Sequence, residues 1–469
     1  MKIGYCTIAS THYLPQVQIL ESSLRRFHPE PEFHILLCDS PDICREVSTI
    51  TGRDILSPER IDCAPWRHLA FCFDGADFSA MLKPFLLETL FRRGYDALIY
   101  LDPDIEVFSG LDRLAAILRD NNAVLTPHVC LPAPNDGKRP AMEDYVQAGH
   151  YDPGFIGVSA SREVRGLLSY WRDVTVERLS AAGNGALFAD RYVTAAIPSL
   201  LEKTVILRDP AYNMAYWNVF QRKLEYEEGR WTTDSGELKF FHFSGLCHQD
   251  PTRVSLHQNR VSASAGTPLF SLLSGYCAKI PAQPWAVFRN HPYSFSFYSN
   301  GEPITLDERN AFLEMSAHER AEIGNPFDAN HLPRNPIRIR CKEMLDRNKD
   351  RSDWIERFKQ KKLCAIRDSA KLATAIRKHK QAHRPIIGWF LRKMTNYYPN
   401  SARRLMEELL ECDNKTFISK TFTSLLGRAP DTVGMEHYGK LLHRGVARTR
   451  IIDSILNSSE YRSRMKARR

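Results

Sequence analysis

Hydrophobic and polar positions alternate along the first part of the chain in a way that names its elements. Lys2–Ile8 is an apolar-rich run that predicts a first strand. Tyr13–Phe27 places Leu14, Val17, Leu20 and Leu24 close to helical spacing, and Pro29 and Pro31 end it. Phe33–Cys38 is a second short apolar run. Met81–Phe91 is helical in pattern and is closed by Gly94. Ala97–Leu101 is wholly apolar and leads directly into Asp102-Pro103-Asp104. Strand and helix signals in alternation predict an α/β domain built on a mostly parallel sheet covered by helices. Such sheets bind ligands outside the carboxyl ends of their strands. Ser10, Asp39 and Asp102 each follow a strand candidate and are expected along one edge.

Further along, Phe155–Val158 and Lys239–Phe243 read as strands and Gly166–Leu179 as a helix. Ala278–Leu306 is rich in Pro and aromatics, which suggests irregular packing against a core. Asn335–Met394 is highly charged with helical spacing. Pro399–Arg464 carries amphipathic helices punctuated by Gly427, Gly434 and Gly445. The expected organisation is therefore an α/β domain over 1–333, a basic helical arm over 334–394 and a small helical module over 395–469.

Composition narrows the class. With 43% hydrophobic and 25% charged residues in 469, the chain is globular and not mostly disordered. Its longest apolar stretches fall far short of the ~20 residues that a membrane-spanning helix needs. Met1–Ile8 lacks the features of a signal peptide, so a cytoplasmic location is expected. The 11 cysteines are irregularly spaced with no Cys-x-x-Cys. Neither a disulfide framework nor a zinc ribbon follows, and most should be small buried hydrophobes.

The net charge of +9 hides an asymmetry. Arg334–Lys393 holds 19 Lys+Arg against 6 Asp+Glu, a net of +13, and Thr395–Arg469 holds 14 against 8. The first 333 residues hold 31 against 41, a net of −10, which argues against nucleic acid as their substrate. The basic segment suits an anionic surface, so peripheral contact with the inner face of a membrane through 334–394 is a further expectation.

The candidate chemistry begins at Asp102-Pro103-Asp104. Two carboxylates two positions apart, just past a buried strand, can both reach one divalent cation, and hard oxygen ligands suit Mg²⁺ or Mn²⁺. The same residues could instead form a strand-end turn. His242, in Phe241-His242-Phe243-Ser244-Gly245, offers an imidazole as a third ligand, or is a structural core histidine. Lys83, on an otherwise apolar helix, could pair with phosphate or Asp102, or extend its head to solvent. Asp190 could position a sugar hydroxyl or cap a helix.

Taken in order, several segments resemble a bacterial GT-A-fold glycosyltransferase of the glycogenin and lipopolysaccharide-galactosyltransferase type. They are Tyr100-Leu101-Asp102-Pro103-Asp104, the Pro153-Gly154-Phe155-Ile156-Gly157 turn, Phe188-Ala189-Asp190-Arg191, Asp209-Pro210-Ala211-Tyr212-Asn213 with Tyr216-Trp217-Asn218, and Phe241–Gly245. Tyr293–Ile304 resembles the tail of related bacterial enzymes, so the likeness covers about residues 1–330. It implies a Rossmann-like domain that binds a nucleotide-sugar, usually a UDP-sugar, through Mn²⁺ or Mg²⁺. By the same resemblance Asp102, Asp104 and His242 are the metal ligands. Thr7, Ile8, Ala9, Ser10 and Tyr13 hold the nucleotide, Lys83 approaches the donor, and Asp190 and Asp152 stand near the sugar as catalytic carboxylates.

The implied activity is hexosyl transfer with retention to a glycan, lipid-linked or protein acceptor in surface polysaccharide synthesis. A nucleotide-sugar hydrolase and a non-catalytic carbohydrate-binding scaffold remain alternatives. The chain departs from the family pattern in three places. Asp152-Pro153-Gly154 stands where Asn-x-Gly is usual, and Asp190-Arg191 where Asp-Gln is usual. No Lys-Pro-Trp follows the His motif, and Arg253 or Arg260 is the candidate replacement. Finally, Leu425–Asp431 with Gly434, Tyr438, Gly445 and Ser458–Tyr461 resembles the bacterial domain-of-unknown-function family 4214.

Overall fold

A computed structural model of the chain describes residues 1–180, 189–329, 335–346, 413–426, 430–443 and 451. The chain divides into two units, Met1–Trp354 and Ile355–Arg469. In the first, the leading strands are β1 (Ile3–Ala9), β2 (Glu32–Leu37), β3 (Ile55–Leu56), β4 (Ala97–Leu101) and β5 (Ile105–Val107). They are followed by β6 (Ala123–Pro127), β7 (Tyr151–Ser159), β8 (Thr204–Ile206) and β9 (Met214–Ala215). Seven of these form one sheet in the order β3-β2-β1-β4-β7-β6-β8. Pairing is parallel from β3 to β4 and between β6 and β8, and antiparallel on both sides of β7. The fold is thus mixed α/β with a sheet in which parallel pairs predominate.

The sheet forms where the apolar runs lie because both of its faces are covered. Along β1, Cys6 and Ile8 enter one hydrophobic cluster and Tyr5 and Ala9 the other. Along β4, Leu98 and Tyr100 join the first cluster and Ala97, Ile99 and Leu101 the second. The two-residue period of a strand sends alternate side chains to opposite faces, so a continuous apolar run is needed. The helices α1 (Leu14–Phe27), α2 (Pro41–Thr51), α3 (Trp66–Cys72) and α4 (Gly75–Arg92) connect the leading strands. Later come α5 (Asp112–Asp120), α6 (Met142–Ala148), α7 (Arg162–Ser180), α8 (Ala189–Leu200) and α9 (Pro268–Ala282).

Two small sheets complete the unit. One is antiparallel and made of β10 (Glu225–Glu227), β11 (Arg230–Thr233) and β12 (Gly236–Glu237). The other pairs β13 (Phe240–His242) antiparallel to β5 and parallel to β9. Pro153-Gly154, expected in a turn, lies inside β7. The ladder that pairs Leu101 with Phe155 continues through a bond from Asp102 N–H to the Gly154 carbonyl (2.8 Å), which keeps the backbone extended.

Helical residues 336–346 pack on this same unit. Ile337 is fully buried with Phe71, Tyr298, Phe312 and Met315, and Arg338 pairs with Glu308 and Glu302 at 2.8 and 2.7 Å. In the second unit, the helices Asn414–Leu426 and Thr432–His443 meet through Phe417, Ile418, Phe422 and Ile451, with Met435, Tyr438 and Leu441 against them. Most of the expected basic arm, together with Gly427, Gly445 and Ser458–Tyr461, lies outside the described residues.

Candidate active site

The site grows from the end of β4. Asp102 and Asp104 stand on the short turn to β5, closed by a bond from Ile105 N–H to the Asp102 carbonyl (3.2 Å). The β5–β13 register sets His242 opposite Ile105, and Phe243 N–H donates to the Asp104 carbonyl (2.9 Å). This ladder carries the imidazole to the carboxylates. His242 Nε2 is 3.1 Å from Asp104 Oδ1 and 3.7 Å from Asp102 Oδ2. One ligand atom from each of the three residues lies within 4.8 Å of the others.

A second layer of contacts fixes the three side chains. Tyr100 Oη donates to Asp102 Oδ1 (2.7 Å). His242 Nδ1 faces Asp152 Oδ2 (3.2 Å), which also accepts from Asn213 Nδ2 (2.7 Å), while Asp152 Oδ1 accepts from Gly154 N–H (3.1 Å). The Trp217 ring stands edge-on to His242 at 5.1 Å and to His128 at 5.2 Å. A carboxylate behind a histidine of this kind sets its tautomer and its ring orientation. Lys83 is buried; its Nζ donates to the Pro153 carbonyl (2.9 Å) and to Asp190 Oδ2 (3.3 Å), and lies 4.0 Å from Asp102 Oδ1. The Lys head therefore turns inward rather than to solvent.

Electrostatics follow from this crowding. Burial works against charge on His242, but Asp104 and Asp152 outweigh it and push its pKa well up. Burial would raise Asp152, yet His242, His128 and the Asn213 bond hold it well below the usual carboxylate range. Asp102 is pushed up, chiefly by burial, against the pull of Lys83 and His242. The donor set of two carboxylates and one imidazole suits a divalent cation such as Mn²⁺ or Mg²⁺. Gly154 supplies the room: a Cβ there would fall 2.5 Å from His242 Cε1 and 2.6 Å from Asp102 Oδ2. The residues present fit a metal ion.

A cavity of about 570 Å³ opens over this group. Ile8, Ala9, Ser10 and Tyr13 line it together with Lys83, Asp102, Asp104, Asp152, Asp190 and His242. Thr7 is not among its lining residues; it is fully buried within β1. Residues 181–188, which precede Asp190, lie outside the described residues.

The family model of a domain of unknown function, DUF4214, matches residues 404–465. The uncharacterized protein YfnD of Bacillus subtilis (strain 168) is 25% identical over 169 residues, which are 35% of this chain and 52% of that protein. The chain thus spans about half the length of this curated relative. Among solved structures it is similar to the glycosyltransferase GlyE of Streptococcus pneumoniae TIGR4, with 14% identity and a TM-score of 0.34 over 62% of this chain and 63% of that one. It is also similar to the galactosyltransferase LgtC in complex with donor and acceptor sugar analogues, with 14% identity and a TM-score of 0.36 over 61% and 99%. Mouse xyloside xylosyltransferase 1 gives 14% identity and a TM-score of 0.32 over 51% and 97%.

Several supporting residues escaped the sequence. His128 follows β6 and donates from Nδ1 to the Gly149 carbonyl (2.8 Å), with its Nε2 3.8 Å from Asp152 Oδ1. Asn213, which the sequence offered within the Asp209–Asn213 segment but without a role, reaches Asp152 from a left-handed backbone (φ 56°) that Asn favours. Arg260 does not face the cavity as a phosphate contact. Its guanidinium bonds Asp136 (2.9 Å) and the carbonyls of Pro134, Lys138 and Pro140, holding the segment that brings Arg139 and Pro140 into the lining. Arg253 is exposed and pairs through its backbone with Ser262.

Proposed function

We propose that the chain is a metal-dependent glycosyltransferase that moves a sugar from a nucleotide-sugar, a UDP-sugar in the first instance, to a hydroxyl of a glycan or lipid-linked acceptor. The observation that carries this reading is the Asp102–Asp104–His242 group at the carboxyl edge of the sheet, inside a cavity that also takes in Ser10, Tyr13, Lys83 and Asp190. A bound divalent cation would neutralise charge on a departing diphosphate. The chain's own residues do the rest. Asp102 and Asp104 present oxygens from a turn stiffened by the two ladders beside it. His242 is aimed by Asp152, whose oxygens are already taken by His242, Asn213 and Gly154, so Asp152 acts as a positioning residue. Lys83 places positive charge between Asp102 and Asp190. Asp190, steadied by Lys83, is the carboxylate left to support positive charge on a sugar.

The test is release of nucleoside diphosphate from a panel of nucleotide-sugars with Mn²⁺, with and without saccharide acceptors. Transfer requires a glycosylated product that appears only with acceptor. Diphosphate release at equal rate without acceptor would instead assign a hydrolase. A panel in which no nucleotide-sugar raises the melting temperature in Mn²⁺ would overturn both.

A further inference from the structure

Tyr226 of β10 and Trp231 of β11 are direct partners in the antiparallel register, so their side chains share a face. Their ring centroids are 4.6 Å apart at 48°. Phe108, just past β5, stands edge-on to Trp231 at 6.4 Å. The hairpin turn has positive φ at both Glu228 (49°) and Gly229 (79°), the geometry whose twist matches that of the strands and holds such a ribbon firm. Tyr226 is nonetheless 56% exposed, a large ring left to solvent on a rigid support.

Beside these rings lies a cavity of about 510 Å³ that shares no lining residue with the cavity over Asp102. Glu106 lines it while only 1% exposed. Its Oε1 takes both Lys279 and Arg26, the latter at 3.4 Å, and its Oε2 is buried with no hydrogen-bond partner. A buried carboxylate oxygen without a donor is costly, so a hydroxyl that reached Oε2 from the cavity would be gained.

We infer that this cleft is a saccharide-binding subsite separate from the metal cluster. A sugar hydroxyl both donates and accepts. A hydroxyl that reaches Glu106 Oε2 can donate to it and accept from Lys279 or Arg26, whereas an ammonium ion cannot accept and a fully ionised phosphate cannot donate. The C–H face of a pyranose is apolar and suits the ring pair of Trp231 and Tyr226. A quaternary ammonium would meet the two cations beside Glu106. A nucleic acid would meet Glu225, Glu227, Glu228 and Glu237 on the same small sheet.

The experiment is binding of the full-length protein to an array of immobilised neutral and acidic oligosaccharides, in EDTA and without nucleotide, so that the active-site reading is not engaged. The expected result is retention on at least one class of glycan, unchanged by Mn²⁺. Tyr226→Ala and Trp231→Ala should each weaken it tenfold or more at an unaltered melting temperature. Tyr226 is the safer variant because its ring is exposed. A wild-type protein that binds no glycan on the array overturns the inference. Glycan binding that both variants leave intact, or retention on immobilised oligothymidine or choline in place of sugars, also overturns it.

Discussion

At Gly154 the backbone passes so near the cluster that a single methyl group would strike both His242 and Asp102. Gly154→Ala is expected to leave the sheet folded but to weaken Mn²⁺ binding tenfold or more, read by titration calorimetry. Asp104→Asn removes a charged ligand without changing volume and should cost more, at least a hundredfold, with an unaltered circular dichroism spectrum. The raised pKa of His242 adds a pH dependence. The metal-free imidazole holds its proton between Asp104 and Asp152, and a metal at Nε2 must displace that proton. Mn²⁺ affinity should therefore climb as pH rises, by at most tenfold per unit, and level off once the pH passes the raised value. The same proton stabilises the metal-free fold most fully below the unfolded histidine pKa of ~6.5 and is lost as pH climbs through the folded value. A Mn²⁺ affinity that does not vary between pH 6 and 8 would remove His242 from the ligand set.

Among elements, β13 bears the most on the site, because its register alone brings His242 to the carboxylates. Phe240, two positions earlier and fully buried, packs on Phe155 (5.1 Å between centroids) and Tyr212 (6.0 Å). Phe240→Ala should destabilise the fold by about 3–5 kcal/mol in denaturant titration and loosen the metal site with it. Elements of this kind differ in how plainly the sequence announces them. Ala97–Leu101 is legible to the residue because a continuous apolar run stops sharply at Asp102. Helix α4 starts six residues before the expected Met81, because Gly75, Asp77 and Ser79 dilute the apolar pattern while Asp74 caps the true start. β8 and β9 are too short for any periodicity to show. The metal candidates were readable as residue types beside strands. The Asp152–His242 and Asp152–Asn213 bonds were not, since they join positions 90 and 61 apart through pairings that no local pattern specifies. The reversed direction of β7, which swings Asp152 to the edge where Asp102 lies, is hidden for the same reason.

For the molecule as a whole, charge is the large-scale feature, with the acidic front and the net of +13 over Arg334–Lys393. We propose that this segment meets anionic lipid at the cytoplasmic face, where each Lys or Arg near the surface adds about 1 kcal/mol. Among the described residues no helix is long and apolar enough to cross a membrane. Full-length protein should sediment with anionic vesicles at low salt and be released by high salt. A chain ending at Asp346, which keeps Ile337 and Arg338 in place, should not sediment, yet should retain donor binding. Full-length protein that ignores the vesicles at low salt would remove the membrane reading. The partition of the candidate site between β4–β5, β7 and β13 has a consequence for biosynthesis. A ribosome adds ~5–20 residues per second, so the 90 residues between Asp152 and His242 take roughly 5–18 s to appear. Throughout that interval Asp104 lacks the His242 imidazole, and the emergence of β13 brings that counter-charge to Asp104 and adds it to that of His128 at Asp152.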